Sequence, residues 1–219
     1  MNKIDEEWFD YKNKLYEALD NEFIRTALRR AIKSFRANRD KAIKRYPEVE
    51  EKRKKLREVK EYVLTHLDEM VKMTIESFET MKGHAYYAKT VEDALKIFDE
   101  IVGSGKIIVK SKSITSEELD LNEYLERRGN TVYETDLGEF IVQNLGSKPM
   151  HILSPAIHVP REKVAELFSK IVNKKLPPDV NQLVSIARSF LRDKFFKADV
   201  GISGANAVCA NTGSIFVIE

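Results

Sequence analysis

Glycine is absent from the first 82 residues of this chain, and all nine glycines follow from Gly83 onward. Glycine supplies the positive φ angles of tight turns, so a long stretch without it favours long helices. Apolar residues in this stretch recur at three- and four-residue steps, as they do on one face of a helix. This set comprises Phe23, Ile24, Ala27, Leu28, Ala31, Ile32 and Phe35. We therefore predict a helical N-terminal region, residues 1–82, followed by a region of different texture, residues 83–219.

Two long helices are predicted in the first region. Asp20 or Asn21 is placed to cap one of them, and Pro47 opens the second pattern, in a position suited to a first helical turn. If the second helix continues unbroken to Met81, its length is roughly 50 Å. We expect a helix of that length to project from the molecule or to pack against a partner. Its apolar stripe consists of Leu56, Val59, Val63, Leu67 and Met70.

The distribution of charged and apolar residues limits the partners and the location of the protein. Thirty-seven basic residues nearly offset 35 acidic ones, whereas a dedicated nucleic-acid binder normally carries a basic excess. A basic band between residues 29 and 55 is interleaved with acids at helical spacing, which is typical of a solvated helix face. The acidic start MNKIDEEWFD is not a signal peptide, and no apolar run reaches the ~20 residues of a membrane span. We expect a cytoplasmic protein with no nucleic-acid partner.

Beyond Gly83, short apolar runs alternate with helical patterns, which indicates βαβ units and a mainly parallel sheet. Strands are predicted at 84–88, 106–110, 131–133 and 150–153. Helices are predicted at 90–102, 115–127, 137–144, 161–172 and 180–196, with Thr90, Thr115 and Asp179 as N-caps. The chain closes with three short strands, 199–202, 207–210 and 214–218, joined by glycine-bearing turns. These predict a meander in which antiparallel pairing is possible.

Three loops bring polar groups or glycine to predicted strand ends, where ligands bind in open α/β sheets. KSKSIT, residues 110–115, suits a phosphate or carboxylate, or is a capped turn with solvated lysines. ETDLGE, residues 134–139, supplies carboxylates and a backbone that a ligand can approach at its glycine. GISGANAVCANTGSI, residues 201–215, is either a binding loop or a set of hairpin turns. If all three meet over one edge of the sheet, they line a single pocket.

Cysteine and histidine usage limits the chemistry of such a pocket. A single cysteine, Cys209, excludes an internal disulfide framework and cannot supply the thiolates of an iron–sulfur cluster. Two histidines, His151 and His158, accompany the acids, but no close metal-ligand spacing is present, so we predict no metal site. No G-x-S-x-G elbow supports hydrolase chemistry. Glu134 and Glu139 are the candidate nucleophiles or bases.

Four segments carry a resemblance to a known family: KIIVKSKSITSEELDLNEYL, ETDLGEFIVQ, HILSPAIH and ADVGISGANAVCANTGSIFVIE. Their order and spacing resemble the LUD domain of iron–sulfur lactate-utilisation subunits, and the likeness spans nearly the whole chain. The resemblance implies a NagB/ribose-isomerase/CoA-transferase-like α/β fold. We therefore expect a three-layer, mainly parallel sheet preceded by a long all-α N-terminal arm.

The same resemblance implies a component of a cytoplasmic L-lactate-oxidising oxidoreductase complex. Its LUD domain would bind a small anionic substrate such as lactate or pyruvate, and its partners would be the other subunits. The family's iron–sulfur subunit continues past the position of Glu219 into an Asn-Glu-Gly-Asn stretch, more of the LUD domain and a cysteine-rich region. We therefore expect a LUD domain truncated at its C-terminal end, either a fragment or a short form. The [4Fe-4S] clusters of the full-length family have no ligands here, so no cofactor is expected in this chain.

Carrying the matching segments across gives a hypothetical ligand pocket. Its members are Lys110, Lys112, Ser113, Glu134, Asp136, Gly138, Glu139, His151, His158, Gly204, Asn206, Thr212 and Gly213. Two further interpretations stay open beside the lactate-oxidising component. One is a stand-alone CoA-transferase or isomerase-like enzyme that uses Glu134 or Glu139. The other is a scaffold that forms a homo-oligomer through its helical arm.

Overall fold

The computed structural model describes residues 3–152 and 154–218. Leu153 and the side chain of Phe23, both used in the predictions above, lie outside this description. The first region is helical, as predicted. Its four helices are α1 (Lys3–Asp20), α2 (Glu22–Arg45), α3 (Val49–Thr65) and α4 (Leu67–Thr80). Asn21 caps α2 by accepting a hydrogen bond from the backbone N–H of Ile24 at 3.1 Å.

The second long helix is interrupted at His66, so the condition of an unbroken helix to Met81 is not met. His66 has a φ of −123° and separates α3 from α4. Two side chains take up backbone carbonyls at this point. The hydroxyl of Thr65 donates to the carbonyl of Tyr62 at 2.8 Å, and Nδ1 of His66 lies 2.9 Å from the same oxygen. The backbone N–H of His66 also bonds to this carbonyl, at 3.1 Å, so side-chain bonds accompany the helical bond where the helix is interrupted.

The second region alternates helices and strands around a parallel sheet. Its elements are α5 (Val91–Val102), β1 (Ile107–Lys110), α6 (Ile114–Glu118), α7 (Leu121–Arg127), β2 (Thr131–Glu134), α8 (Leu137–Leu145), α9 (Arg161–Ile171), α10 (Val180–Lys197) and β3 (Val200–Ile202). The strand order is β2-β1-β3, and both pairings are parallel. The register pairs Lys110, the last residue of β1, with Glu134 and Ile202. The carboxyl ends of the three strands therefore meet at one edge.

Helices cover both faces of this sheet. On one face, Ile108 and Val132 are buried against helices α5 and α7. On the other face, Tyr133 packs against a core built by α8, α9 and α10, in which the rings of Phe140 and Phe168 lie 5.7 Å apart. Neighbouring strand residues point to opposite faces, so each strand feeds both cores. This confirms the mixed α/β fold with N-terminal helices.

The predicted closing meander is divided between two sheets. Strand β3 joins the parallel sheet, whereas β4 (Ala207–Cys209) and β5 (Ser214–Phe216) form a separate antiparallel hairpin. The hairpin lies against α4, because the hydroxyl of Ser77 donates to the carbonyl of Ala210 at 2.7 Å. A Cβ added at Gly213, whose φ is +66°, would lie 3.5 Å from the backbone of Ser77. This contact crosses the predicted boundary at residue 83, which stays a prediction.

Four other expectations are wrong. Residues 84–88 form no strand, and neither do residues 150–152, where the N–H of Met150 instead donates to the carbonyl of Pro155 at 3.0 Å. The helix predicted at 115–127 is two helices, divided at Asp120, which has a positive φ of 46°. Ser113 rather than Thr115 caps the first of them, since its hydroxyl accepts from the N–H of Ser116 at 3.2 Å.

None of the described helices is both long enough and apolar enough to cross a bilayer.

Candidate functional site

A buried ion pair joins two of the three predicted loops where β1 and β2 end. Nζ of Lys110 lies 2.7 Å from Oε1 of Glu134, directly across the strand pair. The two side chains are only 0% and 3% exposed. The ammonium also donates to Glu117 at 3.0 Å and to Ser116 at 3.1 Å. These three contacts use all three hydrogens of the ammonium group, so Lys110 organises the acids around it.

Burial and ion pairing have opposite effects on the pKa values of Lys110 and Glu134. Burial disfavours the charge on Lys110, but the carboxylates of Glu134 and Glu117 outweigh that effect and raise its pKa. Burial raises the pKa of Glu134, although Lys110 and the amide of Asn122, which donates to Oε1 at 2.6 Å, favour its ionised form. The other oxygen, Oε2, is buried without a hydrogen-bond partner among the described residues. Neutralising one partner would therefore leave the charge of the other buried without its counter-ion, which is energetically unfavourable.

A second acid, Glu139, lies in the first turn of α8 beside this pair. Asp136 caps the helix by accepting from the N–H of Glu139 at 3.1 Å. The Glu139 residue is 5% exposed. Burial, followed by the negative charges of Glu117 and Glu134, raises the pKa of Glu139 to about 7. This carboxyl group therefore gains and loses a proton near neutral pH.

Glu139 lines a cleft with a volume of about 430 Å³. One wall is formed by the end of the KSKSIT loop with α6 and α7, and the other by residues 147–152. Its basic side chains are Lys112 and Lys148, and its acids are Glu117, Asp120, Glu123 and Glu139. Two of the predicted site residues, Lys112 and His151, therefore share the cleft with Glu139.

The remaining residues of the first two loops shape the backbone around the cleft. Ser113 and Asp136 are N-caps. Gly138 lies so close to Pro155 that an added Cβ would be 3.0 Å from the proline Cδ, so a larger residue there would push against the following turn. The imidazole Nδ1 of His158 is buried without a hydrogen-bond partner among the described residues.

The third loop reaches the site only with its first residues. The hydroxyl of Ser111 donates to that of Ser203 at 3.0 Å, and an added Cβ at Gly204 would lie 3.2 Å from Cβ of Ser113. Asn206 instead holds the ends of the hairpin, since its Oδ1 accepts from the N–H of Ile218 at 2.8 Å. The other two predicted members, Thr212 and Gly213, form the hairpin turn that lies beside α4. The structure thus brings the first two loops together and places most of the third elsewhere.

Three residues that hold Lys110 and Glu134 in place were not predicted: Ser116, Glu117 and Asn122. One sequence signal points toward Glu117. A lysine at the end of a strand as apolar as IIVK needs counter-charges, and the nearest acids in sequence are those of the helix that follows. Asn122 carries no such signal, because its contact with Glu134 depends on how α7 turns back over β2.

The donor set offers no iron–sulfur ligation, since the chain has Cys209 as its single cysteine, and a cysteine-ligated cluster takes several thiolates. Within residues 3–152 and 154–218, no three His, Cys, Asp or Glu side chains are grouped so as to hold a metal ion.

The chain is similar to known proteins over most of its length. The family model described as the LUD domain matches residues 71–219. Lactate utilization protein B of Bacillus licheniformis is 38% identical over 211 residues, covering 95% of this chain and 44% of the relative. The protein of the same name from Bacillus subtilis is 37% identical over 211 residues, with the same coverage of both chains.

The chain therefore spans less than half the length of these curated relatives. No solved structure was found to match it. The family model covers well over half of the chain and includes both halves of the Lys110–Glu134 pair, the cleft and the hairpin. On these grounds the chain belongs to the LUD domain family.

Proposed function

We propose that this chain is a component of a lactate-utilisation system and that its cleft binds a small carboxylate such as lactate or pyruvate. The family match and the names of the relatives support the biological setting. The cytoplasmic location, the L-lactate-oxidising complex and the other subunits as partners belong to the same proposal. No residue of this chain is assigned to electron transfer, because its donor set does not fit a cluster.

The observation that carries the proposal is the position of Glu139. Glu139 lines the cleft, and its carboxyl group has a pKa of about 7. A carboxyl with such a pKa exchanges protons with a bound hydroxy or keto group near neutral pH, as a general acid or base does. Lys110 takes no direct part. It positions the acids that, after burial, raise the pKa of Glu139.

The two lysines of the cleft can bind one carboxylate, whereas its acids disfavour a ligand of higher negative charge. Lys112 and Lys148 supply positive charge on the two walls, so a carboxylate between them gains from both. The acids of the cleft outnumber these lysines and repel a second negative charge. A polyphosphate would therefore be disfavoured relative to a small monocarboxylate.

Titration calorimetry with lactate and pyruvate tests the proposal, with inorganic phosphate as the competing anion. We expect Lys112→Ala and Lys148→Ala to weaken binding about fivefold or more. Lys55→Ala is the matched control, because Lys55 lies on the exposed surface of α3 and pairs with Glu51 at 2.7 Å. Absence of binding of both carboxylates at millimolar concentration, or equal weakening by the control, would overturn it.

The pH dependence supplies a second readout. Below about pH 7 the Glu139 carboxyl is neutral, which reduces its repulsion of a bound carboxylate. We expect the affinity for lactate to fall as the pH rises through this value in the wild-type protein. The variant Glu139→Gln keeps the neutral form at every pH and should have a flatter profile. A steep profile in that variant would remove Glu139 from the proposed role.

The position of Glu139 in the cleft also supports the alternative of a CoA-transferase-like enzyme. Glu134 is 2% exposed and held by Lys110, which makes it a poor nucleophile toward a large thioester. Glu139 is the better candidate because it lines the cleft. Incubation with an acyl-CoA followed by trapping with hydroxylamine and mass spectrometry tests this reaction. A modified Glu139 would favour the transferase, and an unmodified protein would leave the binding component.

A further inference from the structure

The N-terminal helix α1 buries almost nothing. From Asp5 to Asp20 every side chain except Ala18 is exposed, including the aromatic rings of Trp8, Phe9 and Tyr11. An isolated helix of this length is marginal in water, because most helical stability in proteins comes from packing an apolar face. The helix therefore lacks the packing that would stabilise it.

Its exposed apolar residues form a stripe suited to docking. Trp8, Tyr11, Leu15 and Leu19 follow one another at three- and four-residue steps, which places them on one face. Among the charged residues of the helix, acids outnumber bases. Residues 3–20 hold six carboxylates and three lysines, which gives a formal net charge of −3. A matching surface must therefore be apolar with a positive rim.

The α/β region carries such a surface along α10. A groove of about 400 Å³ lies between this helix and the start of α8, with Ala187 and Leu191 among its lining residues. Phe195 and Phe196 stand exposed on its border, and the guanidinium of Arg192 lies 5.3 Å from the ring centre of Phe196. Arg188 adds a second cation. Helix α10 as a whole has four basic residues against Asp193, a formal net charge of +3.

We propose that α1 of one copy of this chain docks in the α10 groove of a second copy. The charges of the two surfaces are opposite, and each is apolar at its centre. Every chain carries one helix and one groove, so a reciprocal exchange satisfies both copies and closes as a twofold dimer. The exchange forms each contact twice, so the buried surface area approaches the ~1,200 Å² of a specific interface.

A second apolar hollow does not fit α1 equally well. It lies between α3, α4, residues 84–87 and the β4–β5 hairpin, and has a volume of about 770 Å³. Among the described residues, its lining is mainly apolar and contains no lysine or arginine. The acids of α1 would gain no opposite charge there, whereas Arg188 and Arg192 provide it in the α10 groove.

Trp8 reports on the docking directly, because it is the single tryptophan of the chain and is 56% exposed. Raising the protein concentration from about 1 to about 100 µM should shift its emission to shorter wavelength as the ring enters the groove. Sedimentation velocity over the same range should show the mass rise from monomer to dimer. A constant emission and a monomer mass throughout would overturn the proposal.

Two variants then assign the surfaces. Trp8→Glu removes the centre of the helix stripe, and Phe196→Glu places a repelling charge at the groove. Each alone should weaken self-association by about tenfold or more. Leu64→Glu, at an exposed leucine of α3 outside both surfaces, is the control and should still dimerise. All three positions are exposed, so circular dichroism should show a folded protein in every case.

Mixing the two defective chains gives the sharpest result. The Phe196→Glu chain keeps an intact α1, and the Trp8→Glu chain keeps an intact groove, so one contact survives in the mixed pair. The mixture should form a heterodimer. Its emission should be blue-shifted, because the one remaining tryptophan lies in the helix that docks. A mixture that stays monomeric, or a Trp8→Glu variant that associates as wild type does, would overturn the proposal.

Discussion

The two regions of the molecule contain ion pairs of nearly the same length in opposite surroundings. On α3, Arg57 and Glu61 approach to 2.8 Å, with side chains 80% and 59% exposed. In the α/β region, Lys110 and Glu134 approach to 2.7 Å while almost completely buried. Distance therefore does not distinguish them. Water screens the first pair and is excluded from the second, so the cost of breaking each pair should differ severalfold.

The same contrast extends to the regions as wholes. Helices α3 and α4 contain no buried residue among those described, and many of their charges pair within a single helix. The α/β region instead holds two apolar clusters, one on each face of its sheet. The arm therefore depends on local helix-forming tendency and on the surfaces it meets, whereas the α/β region depends on its core.

The largest effect is expected when the buried pair is broken on one side. Glu134→Ala leaves the ammonium of Lys110 buried with Glu117 as its remaining carboxylate. We expect the free energy of unfolding to fall by about 3–5 kcal/mol in urea denaturation. The double variant Lys110→Met/Glu134→Leu removes both charges and should lose less than the single variant. Equal losses would mean that packing, not the unpaired charge, accounts for the effect.

The second prediction concerns the proton on Glu139. The carboxyl titrates near 4.5 in the unfolded chain and at about 7 in the folded one, so the folded state binds the proton more tightly. The stability that this group contributes is fully present below about pH 4.5 and is lost as the pH rises through 7. Glu139→Gln should therefore be more stable than wild type at pH 8, by up to about 3 kcal/mol.

The measurement is the unfolding free energy of both proteins at a series of pH values. Their difference cancels the titrations that they share, so it isolates Glu139. A difference that does not change between about pH 5 and about pH 8 would contradict the raised pKa.

What could be predicted from the sequence was local. The caps Thr90 and Asp179 each bond to a backbone N–H three residues later, so their geometry is contained in a short segment. The helical texture of the arm and the strands IIVK and TVY likewise follow from patterns within a few turns. The meeting of Lys110 with Glu134 followed from a general rule, that the ends of parallel strands share an edge.

What could not be predicted depended on distant partners or on competing bonds. Residues 84–88 have the composition of a strand, but a strand also needs a neighbour with which to pair. Asn122 reaches Glu134 only because the chain turns at Asp120 with a positive φ. At the break, the side chains of Thr65 and His66 both bond to the carbonyl of Tyr62, and the periodicity of the sequence does not reveal these contacts.

A moderate effect is expected at the contact between the regions. Ser77→Ala removes the 2.7 Å bond to the carbonyl of Ala210 and leaves that acceptor without this donor. We expect a loss of about 1 kcal/mol in the unfolding of the α/β region. Thr80→Ala is the control, since its hydroxyl bonds to Glu76 within α4 at 2.8 Å. Similar losses in the two variants would mean that the hairpin does not depend on α4.

The smallest effect is expected for the exposed pair, and it completes the comparison. Glu61→Ala alone is a poor test, because alanine also raises helix propensity by a few tenths of a kcal/mol. A double-mutant cycle with Arg57→Ala removes that contribution and should give a coupling below about 0.5 kcal/mol that declines with added salt. A coupling as large as the loss expected for Glu134→Ala would show that distance governs both pairs. A small, salt-sensitive value means that burial is what gives the Lys110 pair its strength.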